Sequence, residues 1–96
     1  MSETNYKNKD LVNRLESRLN EKYGPVLNND ALVEVLGYPT ASSLRQAVLS
    51  GKLSLPVFTP ENRRGKFALA IDVANWLVNE RDRGITKQVV DESEHK

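Results

Sequence analysis

The sequence contains no cysteine, and its one histidine, His95, stands among charged residues near the end. Without thiols there is neither a disulfide framework nor a thiolate metal site, and a lone imidazole has no second imidazole with which to share a metal. No metal and no other cofactor is expected. Apolar runs are short as well: none approaches the ~20 residues that span a bilayer. The opening Met-Ser-Glu-Thr-Asn lacks the basic-then-apolar layout of a signal peptide, so a cytoplasmic location and no membrane partner are expected. Catalytic signatures are also missing. There is no Gly-rich phosphate loop, no HExxH pattern and no GxSxG elbow. The carboxylates are spaced for helix caps and ion pairs rather than for an acid/base couple, so the protein is not expected to be an enzyme.

What is present suits one small domain. The chain has 96 residues, 39% hydrophobic and 28% charged, a globular balance with too little length for two independent cores. The net charge of +1 conceals an uneven distribution. Residues 1–39 carry five Lys/Arg against six Asp/Glu, and residues 67–96 carry four against six. Between them, Arg45, Lys52, Arg63, Arg64 and Lys66 face only Glu61, a net +4 over residues 40–66. A basic centre between mildly acidic flanks is the composition expected of a domain whose middle elements touch phosphates.

Residues 7–22 place Leu11, Leu15 and Leu19 at i, i+4 and i+8, with Val12 beside them. This predicts an amphipathic helix ended by Gly24-Pro25. Its narrow stripe has two possible partners: the chain's own core, or the same helix of a second subunit in a homodimer or higher homo-oligomer. Val26-Leu27 is long enough only for an edge strand or an extended lead-in. Asn28, Asn29 and Asp30 are all good N-cap residues, and Ala31, Leu32, Val33, Val35 and Leu36 fit a short helix closed by Gly37. Tyr38-Pro39 makes a turn, Thr40 caps a second helix over 41–50, and Leu44, Ala47 and Val48 point inward before Gly51 stops it. Two short capped helices in this arrangement match a helix-turn-helix.

Residues 53–58 and 66–70 read as two strand-like runs joined by the basic turn 59–65, a β-hairpin or wing. Asp72 is placed to cap a last helix, Val73 to Asp82, with Trp76 as a core residue and Gly84 as its stop. The expected fold is therefore mainly α with a small β-hairpin: a winged helix-turn-helix over residues 25–84, preceded by the amphipathic helix within 1–24 and followed by a disordered charged tail, 85–96.

In a helix-turn-helix the start of the second helix faces the major groove, where Arg pairs with guanine and Gln with adenine. Arg45 and Gln46 are the candidates for base contacts. Thr40, Ser42 and Ser43, at the helix start, can meet a phosphate oxygen, although helix capping accounts for such hydroxyls equally well. Lys52, Arg63, Arg64 and Lys66 complete the set, the last three on the wing. Exposed guanidinium groups there add little to the fold but would serve contact with a DNA backbone or minor groove.

Tyr23-Gly24-Pro25, then Leu44-Arg45 followed by Val48, Gly51, Leu53 and Leu55-Pro56-Val57, then Asp72-Val73-Ala74 with Trp76-Leu77, form a pattern along the chain. In these residues the chain from Gly24 onward resembles the pyocin activator family and, more loosely, the MerR-like winged-helix proteins that include phage excisionases and AlpA-type regulators. The resemblance implies a double-stranded DNA-binding transcriptional regulator or recombination directionality factor of a mobile element, with RNA polymerase or an integrase as a further partner. The rival expectation is a protein-interaction adaptor or antagonist that uses the same scaffold and the Leu11/Leu15/Leu19 stripe.

Overall fold

The structure is a computed structural model that describes the backbone of residues 2–95 and the side chains of residues 8–85. Its elements run in the order α1 (Ser2–Tyr23), β1 (Val26–Leu27), α2 (Asn29–Leu36), α3 (Ala41–Leu49), β2 (Ala68–Leu69) and α4 (Ala70–His95). The architecture is mainly helical with one small two-stranded antiparallel sheet.

Helix α1 ends where its Gly24 takes a left-handed φ of 91°, a conformation open to glycine without steric cost. The leucine stripe then has an in-chain partner. Val12 and Leu19 are buried, and Leu11 and Leu15 pack half-buried against the same core. Helix α1 lies along α4, and Asn8 Nδ2 donates to Asp82 Oδ2 at 2.7 Å. Of the two partners open to the stripe in the sequence, the structure shows the core of its own chain.

The short helices are ended by local chemistry. Asn28 caps α2 by accepting from the Ala31 N–H at 2.9 Å, and Gly37 closes it with φ 80° and its N–H on the Val33 carbonyl. Thr40 caps α3 by accepting from the Ser43 N–H at 3.1 Å. At the far end of α3, Gly51 takes φ 77° while the Lys52 N–H returns to the Ala47 carbonyl at 3.0 Å. Leu32 and Leu44 are fully buried and bring α2 and α3 onto one core with Leu27, Leu55, Val73 and Val78.

The expected hairpin is corrected. Phe58 and Phe67 exchange both backbone hydrogen bonds, at 2.9 and 2.8 Å, but this single bridge is all that joins residues 53–58 to 66–70. Ala68 and Leu69 pair instead with Leu27 and Val26. Residues 53–57 form no strand: Leu53 and Leu55 turn into the core, and Pro56 has no N–H to give a ladder.

Helix α4 also departs from expectation at both ends. It starts at Ala70, whose N–H donates to the Pro25 carbonyl at 2.8 Å, so the chain passes from β2 straight into helix and Asp72 sits in the first turn rather than at the cap. At the other end Gly84 does not stop it, and the backbone stays helical to His95. Glycine in a helix interior costs about 1 kcal/mol relative to alanine but does not break it, and the Lys, Gln and Glu beyond are good helix formers. The expected disordered tail, 85–96, otherwise falls on side chains outside the described residues from 86 onward. Trp76, expected in the core, packs against it half-buried, and its indole N–H donates to Ser54 Oγ at 3.0 Å. Among the described residues no helix is long and apolar enough to cross a membrane.

Candidate nucleic-acid interface

The start of α3 and the loop 59–66 enclose an open groove of about 410 Å³. Helix α3 contributes Ala41, Ser42 and Arg45; the loop contributes Thr59, Gly65 and Lys66; α2 contributes Asn29. Two cationic residues, Arg45 and Lys66, thus line one depression from elements 21 positions apart in sequence. No carboxylate among the described residues lines it.

The α3 side of the groove follows from helix geometry. With residue 45 one turn after 41 and 42, these three positions share a face, while Leu44 is rotated into the core. The first N–H groups of a helix have no acceptor within it, and Ala41 and Ser42, the first two residues of α3, both line the groove. Thr40 and Ser43 are engaged with each other: besides the capping bond, their hydroxyl oxygens lie 2.8 Å apart. Their structural job is the cap, whereas Ser42 Oγ is exposed at the groove. Gln46 and Lys52 are exposed, Gln46 on α3 beside Arg45 and Lys52 beyond the helix end, and neither lines the groove.

The loop is built, not merely basic. Phe58 and Phe67 close its base, their ring centres 6.4 Å apart. A turn at its tip places Asn62 at φ 65° and returns the Arg63 N–H to the Pro60 carbonyl at 3.1 Å. The Arg63 guanidinium lies 6.0 Å from the centre of the Phe67 ring, a cation–π contact at an exposed site. Arg64 is exposed beside it. Near the return strand, Thr59 Oγ1 donates to the Gly65 carbonyl at 2.9 Å and the Lys66 N–H donates to Asn29 Oδ1 at 3.0 Å.

Ser42, Arg45 and Lys66 are therefore brought together, with Arg63 and Arg64 on the same loop. Asn29 and Thr59 line the groove, and Phe67 packs beneath the Arg63 guanidinium; sequence patterning singled out none of the three for a site. For Asn29 one signal existed: three capping residues in a row precede a helix that needs only one. The four described ion pairs, among them Arg14 with Asp10 and Arg83 with Glu80, all lie on α1, α2 and α4. None of them engages a basic side chain of residues 40–66.

No protein-family model, no curated protein and no solved structure matches the chain.

Proposed function

We propose that the protein binds double-stranded DNA as a winged helix-turn-helix, with α2 and α3 as the helix pair and the loop 59–66 as the wing. The observation that carries this reading is the groove: Arg45 from the helix and Lys66 from the loop both line it without a carboxylate, and the same loop carries the exposed Arg63 and Arg64. A surface whose cations form no ion pair among the described residues, beside an exposed serine at a helix start, suits a polyanionic backbone. In this reading Arg45 and Gln46 meet base edges, Ser42 and the wing cations meet phosphates, and Lys52 adds to the field.

The mobile-element role, as transcriptional regulator or excision factor, rests on the resemblance of Leu44-Arg45, Leu55-Pro56-Val57 and Asp72-Val73-Ala74 to the pyocin activator and MerR-like proteins. RNA polymerase or an integrase would be its protein partner. Homo-oligomers would form by adjacent placement on repeated sites, since Leu19 is buried and Leu11 and Leu15 are half-buried within the chain. That burial counts against the adaptor reading, which needs the stripe free.

The test is a binding selection on genomic fragments with the purified protein at near-physiological salt. A recurrent motif among the retained fragments supports the reading. Retention of no sequence above input, together with capture of a single protein from lysate, would replace it with the adaptor reading.

A further inference from the structure

The loop's backbone is held at one peptide unit. Its carbonyl, that of Gly65, accepts from Thr59 Oγ1 at 2.9 Å; its N–H, that of Lys66, donates to Asn29 Oδ1 at 3.0 Å. The first bond stays within the loop. The second crosses to α2 and is the side-chain bond that ties the return of the loop to the helical body. The fit around it is close. Gly65 has φ 86°, and a Cβ at that position would stand 3.1 Å from Asn29 Cβ and 3.3 Å from its Oδ1. A side chain at 65 would both strain the backbone and push Asn29 away. Asn29 does not serve as the α2 cap, which is Asn28.

We propose that Asn29 is the positioning residue of the basic loop: its amide oxygen locks the Gly65–Lys66 peptide against α2 and so fixes the distance between the loop cations and Arg45. Phe58–Phe67 is the single β-bridge at the base of the loop, and two cations act together on one ligand when their separation is held. This role rests on the DNA-binding reading for its consequence, but the lock itself is a property of the free protein. Asn29 itself lines the groove, yet its effect on DNA passes through Lys66, Arg63 and Arg64.

The full chain with Asn29→Leu removes the acceptor at similar volume; Asn29→Asp keeps an oxygen in place; Gly65→Ala attacks the same contact from the other side. Two readouts need no DNA. Amide hydrogen exchange of Lys66 should speed up several-fold in Asn29→Leu and Gly65→Ala and stay slow in Asn29→Asp. Tryptic cleavage after Arg63 and Arg64 should accelerate in the first two variants relative to cleavage after Lys52, compared at a temperature where the unfolding midpoints show every variant fully folded. Unchanged exchange and an unchanged ratio in Asn29→Leu overturn the lock.

The third readout is on duplex DNA. In the wild-type background, Arg63→Ala with Arg64→Ala should flatten the slope of log affinity against log salt by about two; in the Asn29→Leu background the same pair should change it much less. Equal change in both backgrounds overturns the positioning role. If the wild-type protein binds no duplex at low salt while the Lys66 amide still loses protection in Asn29→Leu, the DNA reading fails and Asn29 is left as a lock on a loop of other use.

Discussion

Leu27 and Ala68 face each other across the two-stranded sheet, and both are fully buried. Their neighbours in register, Val26 and Leu69, stand on the opposite face with more than a third of their surface exposed. This pair binds the entry to the α2–α3 region to the exit from the basic loop, and from β2 the chain continues directly into α4. The loop's position relative to α3 is thus set at its exit by a strand that precedes α2, not by a hairpin partner.

That register makes position 68 intolerant of volume. Ala68→Val should destabilise by about 1–3 kcal/mol through overpacking, whereas Leu69→Thr on the exposed face should stay within about 0.5 kcal/mol. Urea denaturation of both variants measures the difference. Equal effects would mean that the two faces of the sheet are not distinguished as described.

The leucine stripe yields a stability prediction in place of an assembly prediction. Leu19 is buried against the chain's own core, so Leu19→Ala should cost about 2–5 kcal/mol. Sedimentation should give the same mass for variant and wild type at concentrations where both are folded. A fall in mass with unchanged unfolding midpoint would move Leu19 to a subunit interface.

Thr40 should act through the cap. Thr40→Ala removes the acceptor for the Ser43 N–H and should lower stability by about 0.5–2 kcal/mol, while Thr40→Asn, which can accept the same bond, should stay near wild type. Thermal unfolding in parallel with DNA retention separates the roles. If DNA affinity drops equally in both variants while Thr40→Asn keeps full stability, the hydroxyl contacts the ligand.

On DNA, Arg45→Ala should weaken binding by about 1–3 kcal/mol at sites carrying one particular base pair, and relax selectivity there. A competition assay over single-base variants of the selected motif reads this directly. A uniform loss over all variants would assign Arg45 to a phosphate.

Loop cations should behave in the opposite way. Lys66→Ala should reduce affinity for every duplex alike and lower the salt slope by about one, since one released counterion fewer accompanies binding. Affinity measured from low to near-physiological salt tests it. An unaltered slope would take Lys66 out of the contact surface.

The sequence by itself determined the elements whose causes are local. Asn28, Gly37, Thr40 and Gly51 mark the ends of α2 and α3 because capping oxygens and left-handed glycines act within a few residues of where they stand. The spacing of Leu11, Leu15 and Leu19 fixed α1 and its apolar face for the same reason, and the basic bias of residues 40–66 is a property of composition. Tertiary structure decided everything that needed a partner. Strand pairing in particular has no local signature: residues 53–57 and 68–69 look equally extended, and only the position of β1 in space shows that Ala68 and Leu69 belong to Val26 and Leu27. Helix α1 could have faced a second subunit or its own core until α4 lay beside it, since a stripe records the need for apolar contact and not its source. At the groove, Arg45 and Lys66 come from positions 21 apart in sequence, and Lys66 is tied by its backbone N–H to Asn29, a residue whose neighbours in sequence all suggest a cap. A hydrogen bond spanning 37 positions depends on where the core puts both ends, and that is set by the packing of Leu27, Leu32, Leu44 and Val73, which no single segment contains.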